Sequence, residues 1–310
     1  MISRRNIRVK VMQTLYAVET DPGMKDTPGK TTRVLDEKLN QALEPFWVSL
    51  AFLIKTTQYA VKDAQMRASK LLVTQEDREV STKIADNTLI KRIQENKPLL
   101  EHLKIPVVDR MVNEEWVRKI YLSLIADPAY KAYTETPAHT PASDLKILRQ
   151  LWEQHIQKND FLVELLSEEL PNWEDDMDLT QLSMNLLFKQ PDQLHIHQLI
   201  TEEKRDFAAK LLQAALEKKD YCMQLIQPKL VNWDMERVAH IDLILLRLGL
   251  CELLYFSTIP TKVTINEYIE VAKRYSTPQS GQFVNGVLDN LYKELAQEGK
   301  IHKQDHRSKP

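Results

Sequence analysis

Six glycines in 310 residues constrain this chain more than any other feature. Rossmann and P-loop nucleotide sites need glycine where backbone approaches phosphate. All-β folds need it at many tight turns. Both routes are poorly served, which turns attention to helix packed on helix. The apolar fraction of 43% supplies enough material for that core and argues against global disorder. An all-α fold is expected.

Periodicity agrees. Residues 3–20 predict an amphipathic helix capped by Ser3, with Ile7, Val11, Leu15 and Val18 on one face. Residues 21–31 carry Pro22, Gly23, Pro28 and Gly29 and predict a loop. Further helices are expected over 32–44, 46–72, 82–95, from 114 behind Asn113, and over 144–157, 160–170 and 178–189. The Pro/Thr-rich stretch 127–143 reads as an internal linker. After Thr201 comes a long helix stopped by Pro228, then an element that Asp234 can cap. Residues 241–256 are apolar on nearly every side, which places that helix at the centre of a bundle. Thr264 and Glu267 have the spacing of a capping box for a helix over 265–276, and Ser280 can cap the last one. The tail from Gly299 is polar and basic and is expected to fray.

A net charge of −2 gives no global basic field, so nucleic-acid binding would need a local patch. Cys222 and Cys251 sit in apolar helical patterns and read as buried thiols of a reducing cytoplasm. The basic start runs into Val, Lys and Gln with no signal-peptide core. The apolar run 43–54 contains Glu44 and Pro45 and falls short of the about 20 residues a membrane helix needs. The expectation is a soluble, cytoplasmic protein without a membrane partner. His195/His197 and His302/His306 lack further ligands nearby, so no metal is expected. Glu174, Asp175, Asp176 and Asp178 read as a charged helix start. No nucleophile–histidine pattern emerges. The reading is of a protein with no catalytic residues and no cofactor, and not of an enzyme.

Two clusters carry functional information. Arg4, Arg5, Arg8 and Lys10 crowd the start of the first helix with no acid before Glu19, against the preference of the helix dipole for anions there. Such a cluster suits phosphate, or a solubilising arm. The second cluster is Lys262, Lys273 and Arg274 with Ser280, Gln282, Phe283 and Asn285. Hydroxyl and amides at a helix start suit a phosphate or base edge, and an aromatic there can stack on an unpaired base. Phe283 also fits a core stripe with Val287 and Leu291.

Several ordered stretches resemble the NusB family of transcription antitermination factors: Arg4-Arg5 through Leu15-Tyr16, 233–239 (WDMERVA), 245–255 (LLRLGLCELLY), 259–267 (IPTKVTINE) with 269–273 (IEVAK), and 283–289 (FVNGVLD). The resemblance covers about 202–298, extends to 2–20, and is absent from 21–201. It implies NusB-like helical bundles with an additional helical expansion. Residues 1–20 would be the first core helix with its basic arm, and 21–201 an expansion of unknown role containing any second and third core helices. Residues 202–298 would be the NusB-like core and 299–310 a flexible basic tail. It further implies binding of boxA-type RNA together with the ribosomal protein NusE, in an antitermination complex with RNA polymerase during ribosomal-RNA transcription. The RNA contacts carried over are Arg4, Arg5, Arg8 and Phe283. Lys10 continues the basic arm, and Lys262, Lys273, Arg274, Ser280, Gln282 and Asn285 stand at or beside that surface. Asp242 stands where the family has an acid near its partner-facing helix. Many relatives have lysine in place of Gln282. The alternative is a protein–protein scaffold that kept the fold without RNA binding. RNA methyltransferases with a NusB-like front domain are the remaining comparison. No Gly-rich strand–loop–helix follows the module before Pro310, so a methyltransferase is not expected.

Overall fold

The computed structural model describes residues 2–21, 23, 29–171, 173–230 and 238–304. Among them there are helices and no strand. The order begins with α1 (Arg4–Thr20) and α2 (Lys30–Gln41), then α3 (Glu44–Ala68), α4 (Gln75–Arg78), α5 (Thr88–Glu95) and α6 (Lys97–Glu101). It continues with α7 (Pro106–Met111), α8 (Glu114–Ala126), α9 (Pro128–Glu135), α10 (Pro141–Gln150), α11 (Asp160–Glu169), α12 (Trp173–Lys189) and α13 (Ile196–Leu199). The last five are α14 (Glu202–Glu217), α15 (Lys219–Ile226), α16 (His240–Tyr255), α17 (Thr261–Tyr275) and α18 (Ser280–Gln297). Two compact units form. One holds residues 40–200; the other holds the described residues of 2–39 and 201–304.

The first unit is built around α3, which packs against α7, α8 and α12. Phe46, Trp47, Leu50, Leu53 and Ala60 of α3 are buried. The Pro/Thr-rich stretch 127–143 is not a linker but carries α9 and the start of α10. Pro128 and Pro141 occupy the first helical turn, where a missing N–H and a fixed φ cost nothing. Asp127 caps α9 by accepting from Ala129 N at 2.8 Å. Thr140 and Ser143 form a capping box on α10. The helix expected over 144–157 changes to π geometry at Leu151–Ile156. His155 on that segment bridges Ser123 of α8 and Asp127, at 2.9 Å on each side. The acidic run does open a helix, with Glu174, Asp175 and Asp176 in the first turn of α12.

In the second unit α16 lies at the centre, packed against α1, α14, α15, α17 and α18. Every residue from Ile244 to Leu253 is buried. A Cβ on Gly249 would meet Leu288 Cδ1 at 2.8 Å and Tyr268 Cδ2 at 3.3 Å, so the absent side chain is what lets α16 approach α17 and α18. Capping differs from expectation. α17 begins at Thr261, and Thr264 sits inside the helix, donating to Glu252 Oε1 at 2.8 Å. Ser280 is the first residue of α18 rather than its cap, and it donates to Asp242 Oδ2 at 2.7 Å. The long helix after Thr201 is interrupted at Lys218. At the described start of the tail Lys303 Nζ donates to the carbonyls of Glu252 and Phe256, each at 2.9 Å, at the end of α16. Asp234 and the stretch 233–237 lie outside the described residues.

Candidate nucleic-acid interface

The candidate surface starts with how α1 is held. Ile7, Val11, Leu15 and Val18 face inward, and burying side chains of this size is worth roughly 1.5–3 kcal/mol each. Ionic contacts fix the two ends. Arg4 pairs with Glu203 of α14 at 2.9 Å. Arg5 makes two bonds to Glu267 of α17, at 2.9 and 2.8 Å. Arg8 makes two bonds to Glu252 of α16, at 2.8 and 2.6 Å, and lies 3.5 Å from Glu267. At the other end Glu19 accepts from Lys219 and Arg247, each at 2.8 Å. Cations at the start of a helix and an acid at its end both oppose the dipole. Paired acids and bases from α14–α17 offset that cost.

Arg8 and Glu252 are buried at 1% and 0% exposure. Glu252 also accepts from Thr264 at 2.8 Å and from the Tyr268 hydroxyl at 3.2 Å, so its lone pairs are satisfied. The Arg8 guanidinium lies over the rings of Phe207 and Tyr268, at 5.6 and 5.8 Å. Burial works against the Arg8 charge, but the Glu252 bonds together with the electrostatic effects of Tyr268, Glu252 and Glu267 outweigh it and push its pKa up. At Glu19 burial likewise opposes ionisation, and the Lys219 and Arg247 bonds still hold its carboxyl below the usual range.

A polar face continues outward from Arg5. Lys262, Asn266, Glu270 and Lys273 are exposed and recur along one stripe of α17. Arg5 feels the Glu270 charge, and Glu270 pairs with Lys273 at 2.7 Å. The Lys273 stem crosses Gly281, where an added Cβ would meet its Cγ at 2.9 Å. Beyond it, Gln282 and Asn285 are exposed on α18. One continuous strip therefore runs from the first turn of α1 across α17 to the first turns of α18.

The expected contact residues divide in two. Arg5, Lys262, Lys273, Arg274, Gln282 and Asn285 are exposed and Arg4 is half-buried. Arg8, Lys10, Ser280 and Phe283 lie inside the unit. Phe283 is 4% exposed and belongs to the core with Val287 and Leu291, so its face is not offered to a base. Asp242 is 4% exposed and engaged with Ser280, not presented to a partner. Lys10 is buried near Lys38, whose pKa is lowered by burial and by the Lys10 charge.

Sequence reasoning missed the acids Glu203, Glu252 and Glu267. One signal was available: an acid in a helix apolar all round requires a buried cation. No group of three or more potential metal ligands occurs among the described residues. No described helix is long and apolar enough to cross a membrane.

Comparison with known proteins finds relatives of the C-terminal part of the chain. The family profile described as NusB family matches residues 174–293. It takes in α12 and α13 as well as the C-terminal helices, and so begins earlier than the resemblance at 202. The Transcription antitermination protein NusB of Salinibacter ruber is 44% identical over 99 residues, covering 32% of this chain and 62% of that protein. The protein of the same name from Chloroherpeton thalassium is 41% identical over 99 residues, 32% of this chain and 47% of its own length. That of Listeria monocytogenes is 40% identical over 96 residues, 31% of this chain and 75% of the relative. The chain thus spans less than two thirds of the first two relatives. No solved structure matches it. With three quarters of the Listeria protein covered at that identity, and a core of the all-α kind, this chain belongs to the NusB family.

Proposed function

We propose that this protein is an RNA-binding transcription antitermination factor. It takes boxA-type RNA jointly with the ribosomal protein NusE, within an antitermination complex on RNA polymerase. The name shared by the relatives, Transcription antitermination protein NusB, supports the process. The observation that carries the RNA reading is the continuous exposed strip of Arg5, Lys262, Lys273, Gln282 and Asn285. Its cations neutralise phosphates and set affinity and salt dependence, and its amides meet base edges. The buried position of Phe283 favours phosphate and amide contacts over stacking. Arg8 supports the site from inside, by holding α1 against α16.

The test is binding of boxA-like and scrambled RNA, each with and without NusE. Preference for the boxA-like strand that strengthens when NusE is present is the expected result. Equal binding of both strands under both conditions would overturn the reading.

A further inference from the structure

The two cysteines meet. Cys222 of α15 and Cys251 of α16 place their Sγ atoms 3.6 Å apart, and both side chains are 0% exposed. They are the only cysteines in the sequence. A disulfide needs sulfurs about 2.05 Å apart, so each sulfur has to move less than about 1 Å along the line that already joins them. The charge of Arg247, itself buried on α16, reaches both thiols. Among the described residues, Arg247 Nε and one terminal nitrogen have no hydrogen-bond partner. The hydrogen bond from Cys251 lowers the pKa of Cys222 against the opposing effect of burial, and the Arg247 charge adds to it. A thiolate at Cys222 would have the Cys251 sulfur in contact behind it.

We infer that Cys222 and Cys251 form a site of two-electron oxidation, closed to an intramolecular disulfide by a small peroxide. The Cys222 thiolate attacks one oxygen of hydrogen peroxide. An S–O bond forms, the O–O bond breaks, and the departing hydroxide takes up the thiol proton as water. The Cys251 sulfur then attacks the Cys222 sulfenic acid. The S–S bond forms, the S–O bond breaks, and the leaving hydroxide carries off the Cys251 proton as a second water. Two thiols lose two electrons and one peroxide is reduced to two waters. The neighbouring sulfur traps the sulfenic acid before further oxidation. The bond ties α15 to α16, the central helix of the unit.

The experiment uses the full chain, reduced and then treated with hydrogen peroxide, followed by alkylation with iodoacetamide in denaturant and intact-mass analysis. The expected product is two mass units lighter than the reduced protein, takes no alkyl groups, and yields a Cys222–Cys251 linked peptide that dithiothreitol releases. Cys222→Ser and Cys251→Ser variants should yield no such species. A second measurement equilibrates the chain with glutathione redox buffer, folded and in urea. The folded chain should hold the disulfide at ratios about tenfold more reducing than the unfolded chain. Recovery of both thiols for alkylation after peroxide overturns the inference. So does a product confined to linked dimers or sulfinic acids, or a disulfide no better held in the folded chain than in urea.

Discussion

Arg8 and Glu252 stand 244 positions apart in sequence and meet through two bonds of 2.8 and 2.6 Å. Exposure at the two residues is 1% and 0%. The pair is the pin that holds the first helix on the C-terminal module. Removing one member leaves the other charge buried without its counterion, which costs about 3–5 kcal/mol. Arg8→Ala is therefore expected to lower the urea midpoint of unfolding by that equivalent. Combining Arg8→Met with Glu252→Gln should cost less than the sum of the single changes, because the two act through one contact. Strict additivity would remove the pair from this role.

Two glycines of the same module should respond to alanine with opposite signs. At Gly249 the new Cβ meets Leu288 Cδ1 at 2.8 Å, and Leu288 is itself 0% exposed. Overpacking costs about 1–3 kcal/mol, more than the about 0.8–1 kcal/mol gained in helix propensity. At Gly286, inside α18 and exposed, nothing lies within 4 Å. Gly286→Ala should stabilise by about 0.5–1 kcal/mol. Thermal unfolding of both variants decides it, and a matching sign at the two positions would contradict the packing described.

Much of the helical core is legible in the amino-acid sequence. The stripe Ile7, Val11, Leu15, Val18 predicts which side of α1 is buried, and the all-round apolarity of 241–256 predicts a central helix. The first follows from period 3.6, the second from the near-absence of a polar face. The proline-rich stretch 127–143 misleads because proline punctuates loops and starts helices equally well. Only the cap at Asp127 and the box at Thr140 tell which, and both depend on backbone geometry. The arginine arm misleads for a related reason. Sequence shows charges but not their partners, and Glu203, Glu252 and Glu267 are brought to Arg4, Arg8 and Arg5 only by tertiary packing. Phe283 fits either reading in sequence, and in the fold its core stripe prevails over display.

The far end of α1 should make the unit acid-sensitive. Glu19 is held by Lys219 and Arg247, and although burial opposes its charge, its folded pKa lies below the ordinary 4.5. A carboxyl depressed on folding contributes stability that is present above its unfolded pKa. That contribution is lost as pH falls through the lower folded value. Glu19→Gln should therefore narrow the stability difference between pH 7 and pH 3, by lowering stability at pH 7 more than at pH 3. Denaturant unfolding at the two pH values measures it, and an equal loss at both would exclude Glu19 as the titrating group.

Arg5 gives the sharpest test of the proposed RNA surface, because its guanidinium is half-exposed yet bonded twice to Glu267. A phosphate at this site competes with that carboxylate. Arg5→Ala should weaken boxA-like RNA binding and reduce the slope of log affinity against log salt by about one. Glu267→Gln removes a negative charge beside the strip and loosens the hold on Arg5, while Arg8 keeps Glu252. It should tighten binding by a few-fold at low salt, with the gain fading as salt screens it. Lys210→Ala serves as the control, since Lys210 pairs with Asp206 on the outer face of α14 and lies off the strip. Titrations with labelled RNA across a salt series separate these outcomes. If Arg5→Ala binds as the unaltered protein does while Glu267→Gln weakens binding, Arg5 is a structural cation like Arg8, and the RNA surface has to be sought away from the start of α1.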